Sequence, residues 1–479
     1  MNNMYDLLSS EDINAINSAT IEVLEKTGVL VESDDILNLL KRAGAQVNLE
    51  KKIARFPKSL TNESLQKAPS SFTLYSRKGE QYVVGGETPV ISSGAGATWM
   101  LDLETGEPRP ATKKDVEETS RLTDALEHFD VCMATAIPQD VKSTVVDVMA
   151  AEAMMINTSK PYFLAPGDGK QARYIIEMAA VISGGMDELV KKPVLLGVAS
   201  PNSPLRLASH DLDVVSEFVK NKIPITILNC AISGATSPVT LAGTLVISLA
   251  EILSMTVVAE LMNPGTPVML GMCPACIDMR TANATFGDPE NALVSVANAQ
   301  LLKYYNLPSW TCASEVDAII PDAQAGYETA WKTLLPLMAG TDVICGTGHL
   351  GAAAGGSFEK LVIDNEIIGA IKRILKGIDV NESTLALDVI DAVGPGGHFL
   401  AQKHTREHLK NERWFSKISY KSNVEQWKKE RIDVWKRARE EAVEILRIHQ
   451  PEPLEKDKAQ KIKKIVEEAE RTLTGPSGA

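Results

Sequence analysis

Cysteine, aromatic residues and positive charge are all scarce in this chain, and each shortage closes off a class of protein. Six cysteines among 479 residues are too sparse for a disulfide framework, so a reducing cytoplasm is the expected compartment. Lys and Arg number 49 against 62 Asp and Glu, a formal net charge of −13, which argues against nucleic acid or an anionic membrane as partner. The opening MNNMYDLLSSEDINAIN has no basic stretch followed by an apolar core, so no secretory signal is read there. The longest apolar segment, around residues 241–261, is interrupted by Glu251 and Glu260, and no bilayer-spanning helix is expected. Aromatic residues make up only 5%, so any cluster of rings has to be assembled from distant segments.

What is present is a rhythm. Short apolar runs, several opened by proline, alternate with helix-length segments: DVCMATA (130–136), PYFLAP (161–166), PVLLGVAS (193–200), PITILNC (224–230), PVMLGM (267–272), PSWTCA (308–313), DVICG (342–346) and LALDVID (385–391). Parallel strands covered on both faces read as continuous apolar runs. Eight such runs separated by helices predict a TIM (β/α)8 barrel, with its chemistry at the carboxyl ends of the strands.

The chain exceeds the roughly 250 residues of a bare barrel, so modules are expected at both ends. Residues 1–109 read as a helical and β-hairpin cap, with amphipathic helices after Ser10 and Asp34 and strands in FTLYSR, QYVVGG, TPVISS and ATWMLDL. The barrel is expected over 110–405 and a charged helical extension over 406–479. The hairpin segment has two possible places, closing the bottom of the barrel or flanking it.

Residues just after the runs are the site candidates. Glu315 and Asp317 follow the PSWTCA run, and Asp322 reads as the N-cap of the next helix. His349 and His398 sit in the glycine-rich turns GTGHLGAAAGG (346–356) and VGPGGHFLAQ (393–402), where glycine lets backbone approach a ligand. Cys273 and Cys276 form a CxxC without the further ligands a closed zinc site needs. They are read as core residues, as are Cys230, Cys312 and Cys345. His404 and His408 stand four apart but lack a third ligand, and no P-loop lysine follows the 346–356 turn. Trp99, Phe286, Trp310, Phe358 and Phe399 fall near strand exits or the mouth. Together with carboxylates they would cage a quaternary ammonium by cation–π attraction.

The stretches SSGAGATWMLDLETGEPRPATKKDVEETSRLTDAL (92–126), SPVTLAGTLVISLAEIL (237–253), GDPENALVSVANAQLLKYYNLPSW (287–310), PDAQAGYETA (321–330) and FEKLVIDNEIIG (358–369) resemble the trimethylamine methyltransferase (MttB) superfamily. They follow the family's order over nearly the whole length. The resemblance implies a cytoplasmic, homo-oligomeric barrel enzyme that moves a methyl group from an amine to the cobalt of a small corrinoid protein. The trimethylamine enzymes carry pyrrolysine near the exit of the PSWTCA strand, whereas residues 315–320 here are ordinary. That departure resembles the non-pyrrolysine branch, which demethylates quaternary amines such as glycine betaine, proline betaine, carnitine or γ-butyrobetaine.

On this reading Glu315, His349 and His398 are the catalytic candidates, and Trp99, Phe286, Trp310, Asp317, Phe358 and Phe399 hold the substrate. No metal and no permanently bound cofactor is expected on the chain itself, the corrinoid being supplied by the partner protein. Two other readings stay open: a barrel lyase or aldolase using Glu315 or Asp317, which lacks a lysine at any predicted strand end, and a non-catalytic betaine-binding protein.

Overall fold

The computed structural model describes residues 5–474; residues 1–4, part of the stretch read for a signal, lie outside it. Eight parallel strands form one sheet: β1 Val90–Ser93, β2 Cys132–Met133, β3 Tyr162–Leu164, β4 Leu195–Ala199, β5 Ile225–Asn229, β6 Val268–Met272, β7 Ser309–Thr311 and β8 Val343–Thr347. β8 pairs with β1. The ring closes between β1 and β2 through the Ser92–Val131 bridge and the Ser93 N–H donating to the Val131 carbonyl at 3.1 Å. Helices α1 Lys113–Ala125, α2 Val146–Asn157, α3 Gly169–Ser183, α4 Ser209–Lys220, α5 Leu241–Met262, α6 Pro289–Tyr304, α7 Ala323–Met338 and α8 Phe358–Leu375 alternate with the strands. This is the expected (β/α)8 barrel.

One strand is not where the sequence rhythm placed it. The run LALDVID falls across two short exposed helices, Glu382–Leu385 and Leu387–Val393, neither with a buried residue. Asp388 and Asp391 could not be buried on both faces of a central strand, while Leu387 and Ile390 keep a helical spacing. The missing strand is β1, inside TPVISS, so the boundary drawn at residue 109 leaves the first barrel strand on the cap's side. TPVISS reads as a strand, but as one of the cap's, because Ser92 and Ser93 shorten its apolar run. In the barrel both are fully buried and satisfied: Ser92 Oγ donates to the Ser93 carbonyl and Ser93 Oγ to that of Met133. Every strand ordinal counted from the sequence therefore moves up by one, and the PSWTCA strand is the seventh.

The barrel interior is filled by alternate strand residues: Val90, Val131, Phe163, Leu196, Met269, Trp310 and Val343 form one buried cluster, as the period of two requires. Phe72, Leu74 and Val84 of the hairpin Phe72–Tyr75/Gln81–Val84 join it. The hairpin thus plugs the amino-terminal end of the barrel and leaves the carboxyl end for chemistry. Helix α5 is long and apolar enough to cross a bilayer, yet residues such as Leu249, Leu253 and Val257 are buried within the fold. Its Glu251 is satisfied by Ser203 Oγ, the Leu205 N–H and Asn229 Nδ2 at 2.7–2.8 Å. The carboxyl-terminal helices Val434–Ile448 and Lys456–Thr474 lie outside, against α8 and against α3 respectively.

Candidate active site

Four neighbouring strands deliver a thiol each to one level of the carboxyl end. Asn229 of β5 pairs with Met272 of β6, Met272 with Thr311 of β7, and Thr311 with Ile344 of β8. The next residue on each strand is a cysteine: Cys230, Cys273, Cys312 and Cys345. Side chains alternate along a strand, so the four fall on the same inward face. The thiols touch in sequence. Cys345 Sγ donates to Cys312 Sγ at 3.4 Å, and Cys273 is hydrogen-bonded to both Cys230 and Cys312. Cys273, Cys312 and Cys345 are buried while Cys230 is exposed.

Glu315 reaches into this row from just beyond β7. Its carboxyl accepts from Cys273 Sγ at 3.3 Å, and only 2% of the residue is exposed. Gly346 makes the room: a Cβ there would stand 2.6 Å from Glu315 Cγ. Burial pushes the Glu315 carboxyl above its ordinary pKa, against the opposing pull of Lys332. The hydrogen bond with Cys230 draws the Cys273 thiol down, but the contact with Cys312 and burial together leave it well above the usual thiol range. Burial thus favours the uncharged forms of the Cys273 thiol and the Glu315 carboxyl.

His349 stands at the seam of the barrel. It is fully buried, with Nε2 3.0 Å from the Ala95 N–H beyond β1 and 3.2 Å from the Thr135 carbonyl beyond β2. Burial lowers its pKa to about 4, so the ring is neutral at pH 7. Among the described residues Nδ1 has no partner. In the neutral ring Nε2 either accepts from Ala95 or donates to Thr135, so His349 bonds the exit of β8 to one of these neighbours and packs against the other.

A buried polar layer holds these turns from behind. Lys332 of α7 donates to the Glu315 main-chain carbonyl at 2.8 Å. Lys360 of α8 binds both oxygens of Asp364 at 2.6 and 2.7 Å and Thr329 Oγ1 at 2.8 Å. Asp364 in turn accepts the Gly348 N–H at 2.7 Å, which fixes the residue before His349.

The remaining predicted residues scatter. Asp317 spends both oxygens on the backbone N–H groups of Phe286 and Gly287, each at 2.8 Å, so it positions the Phe286 loop. Phe286 is half-buried against the inner cluster that includes Cys273. Trp310 lies deeper, fully buried and edge-on to Phe163 at 5.8 Å. Phe358 opens α8 in the outer core. Trp99 is half-buried on the β-ribbon beside the 346–356 turn, where a Cβ on Gly355 would come 2.1 Å from its ring. His398 and Phe399 are exposed in the segment carrying the LALDVID run. The structure thus brings Glu315, Phe286 and the Asp317-held loop together, ties His349 into the seam, and leaves His398 and Phe399 outside. Asp322 caps α7 as expected, accepting the Gln324 N–H at 2.8 Å. On the other side of the mouth a cavity of about 90 Å³ opens between the exits of β1, β2 and β3, lined by Ala95, Met133, Ile137, Phe163, Ala165 and Pro166.

With this geometry in view, the model of the family "Trimethylamine methyltransferase (MTTB)" matches residues 1–474. The chain belongs to that family. A trimethylamine methyltransferase MttB of Desulfitobacterium hafniense (strain DSM 10664 / DCB-2) is 36% identical over 96% of this chain and 93% of its own. A glycine betaine methyltransferase of D. hafniense (strain Y51) is 33% identical over 94% of each. MttB of Methanosarcina thermophila is 34% identical over 94% and 95%. Among solved structures, the Methanosarcina barkeri monomethylamine methyltransferase MtmB superposes with a TM-score of 0.50 over 91% of this chain and 93% of that one at 12% identity. That likeness speaks for the fold alone.

Within this MTTB-family barrel, reading the sequence missed the row of thiols and the buried lysines. Each cysteine stands within one residue of the end of an apolar run, where it passes for an ordinary core residue. The available signal was positional: four successive runs each have a cysteine within one residue of their end. Lys332 and Lys360 carried no signal, since a lysine in a helix normally faces water.

Proposed function

We propose that this protein transfers a methyl group from a quaternary amine of the betaine type to the cobalt of a cognate corrinoid protein in the cytoplasm. The observation that carries the reading is the mouth itself: one buried carboxyl, Glu315, hydrogen-bonded to Cys273, with the half-buried ring of Phe286 packed on the inner cluster that includes that cysteine. A permanent cation suits that combination, because a ring face and a carboxylate both attract it and it has no proton to lose. The relative named as a glycine betaine methyltransferase supports the same class.

The corrinoid supplies a Co(I) nucleophile that displaces the neutral amine from its methyl group. The chain's own residues then bind and orient. Glu315 and Phe286 hold the ammonium, Asp317 fixes the loop bearing Phe286, and His349 with Asp364 keeps the turn after β8 in place. Positioning and exclusion of water are the main contributions such a displacement needs from protein. The corrinoid partner docks over the carboxyl end, since the hairpin plugs the other. Leu387 and Leu400 are 68% and 86% exposed in the 376–415 segment, which supports a homo-oligomer that covers them.

The test is incubation of the purified chain with a Co(I) corrinoid protein and a panel of amines, following loss of the Co(I) absorbance and appearance of the demethylated amine. Turnover of at least one quaternary amine, with trimethylamine inert, is expected. Efficient turnover of trimethylamine with every betaine inert would overturn the reading. An aldolase or lyase reading has no supporting observation: Lys332 and Lys360 are buried behind the turns and bonded to protein.

A further inference from the structure

We infer that Cys273 Sγ, Cys312 Sγ and the Glu315 carboxylate form a binding site for a thiophilic divalent cation of the zinc class. Candidate ligand atoms of the three residues all lie within 4.8 Å of one another, and Cys273 Sγ is 3.3 Å from Glu315 Oε2. Tetrahedral zinc with Zn–S near 2.3 Å and Zn–O near 2.1 Å sets its ligand atoms about 3.5–3.8 Å apart. The Cys273–Glu315 contact is slightly tighter than that range and no pair exceeds 4.8 Å, so an ion enters with side-chain adjustments of about 1 Å or less.

The competing explanation is a row of inert core thiols, and Glu315 counts against it. A buried carboxyl ordinarily has a strong donor or a cation for its side chain, because leaving it poorly paired is costly. Here the Lys332 ammonium donates to the main-chain carbonyl of Glu315, and the side chain is left with the thiols of Cys273 and Cys312, which are weak donors. A buried acid held among sulfurs, with Gly346 making room for it, is the arrangement a metal ligand requires. Cys276 takes no part: its thiol turns away to Asn291 Oδ1 at 3.3 Å. The CxxC spacing is thus incidental, and the ligand set comes from two different strand exits.

Coordination releases the two thiol protons, and the carboxyl proton where present, to solvent. Cys230 and Cys345 flank the bound sulfurs as hydrogen-bond donors. Three protein ligands leave the fourth position open toward the mouth, as in catalytic zinc sites. Two thiolates and a carboxylate around a divalent ion leave one net negative charge, so the loaded centre attracts an ammonium. That last consequence rests on the function proposed above; the metal site does not.

The experiment is stoichiometric reconstitution of the full chain. Reduced protein freed of metal is dialysed against micromolar zinc and assayed by atomic emission, and a parallel sample takes cobalt(II) for visible spectroscopy. One zinc per chain is expected, with thiolate-to-cobalt charge-transfer bands and tetrahedral ligand-field bands. Cys273→Ser, Cys312→Ser and Glu315→Gln should each weaken zinc binding by more than the roughly 10–100-fold typical of changes outside the ligand shell, while Cys276→Ser binds as the parent does. Circular dichroism reports whether each variant is folded, and the cobalt spectrum of the unsubstituted chain stands even if a variant is not. Substoichiometric zinc, a cobalt spectrum without thiolate bands, or unchanged binding in folded ligand variants would overturn the site. None of these readouts involves methyl transfer, so the metal site and the proposed activity fail or stand separately.

Discussion

Two turns look alike in the sequence, GTGHLGAAAGG at 346–356 and VGPGGHFLAQ at 393–402, and the fold treats them in opposite ways. The first leaves β8 directly. Its histidine is fully buried, set against the exits of β1 and β2, and its Gly348 N–H is held by a buried Lys360–Asp364 pair. The second follows an exposed helix, and His398 faces water. Glycine and histidine together say only that a turn can approach something. Whether anything is there depends on a barrel strand having delivered the turn to the mouth.

The largest break in that contrast should come from the layer beneath the first turn. Lys360→Ala strands Asp364 in the core, and losing one partner of a buried pair costs about 3–5 kcal/mol. Denaturant unfolding should show a loss of that size, where an effect below about 1 kcal/mol would mean that the pair does not support the turn.

The histidine itself gives a pH signature of nearly the same size. Its folded pKa, about 4, lies below the unfolded value of about 6.5. The unfolded chain therefore binds the extra proton first, and stability falls as pH drops from about 6.5 to about 4. The loss attributable to this group is on the order of 3 kcal/mol, full at pH 4 and absent above pH 7. His349→Gln should flatten that part of the stability profile relative to the parent; parallel profiles would show that the ring is not held neutral.

Rings sharpen the same comparison on the scale of binding. Phe286 borders the thiol row, whereas Phe399 is 45% exposed outside the barrel. Phe286→Ala should weaken quaternary-ammonium binding by about 0.5–2 kcal/mol in calorimetry, and Phe399→Ala should leave it unchanged. The smallest effect belongs to His398. His398→Ala should alter stability by less than about 0.5 kcal/mol, the range of surface substitutions, and a larger loss would show that the second turn carries structure after all.

Seven of the eight barrel strands were legible as apolar runs because strands buried on both faces need no polar alternation. The Asp322 cap and the helical ends were legible for equally local reasons. β1 was legible as a strand of the cap and not of the barrel, since Ser93 Oγ is satisfied by the Met133 carbonyl, which only the closed barrel supplies. Glu315 was marked by its place after a strand, but what surrounds it was not. Cys230, Cys273, Cys312 and Cys345 are separated by dozens of residues, and each passes alone for a core residue. The sequence by itself determined the barrel fold and seven of its strands, because these follow from local hydrophobic pattern. Tertiary structure alone decided that four thiols and a carboxyl meet, and which histidine is buried, because strand register sets distances that no local pattern encodes.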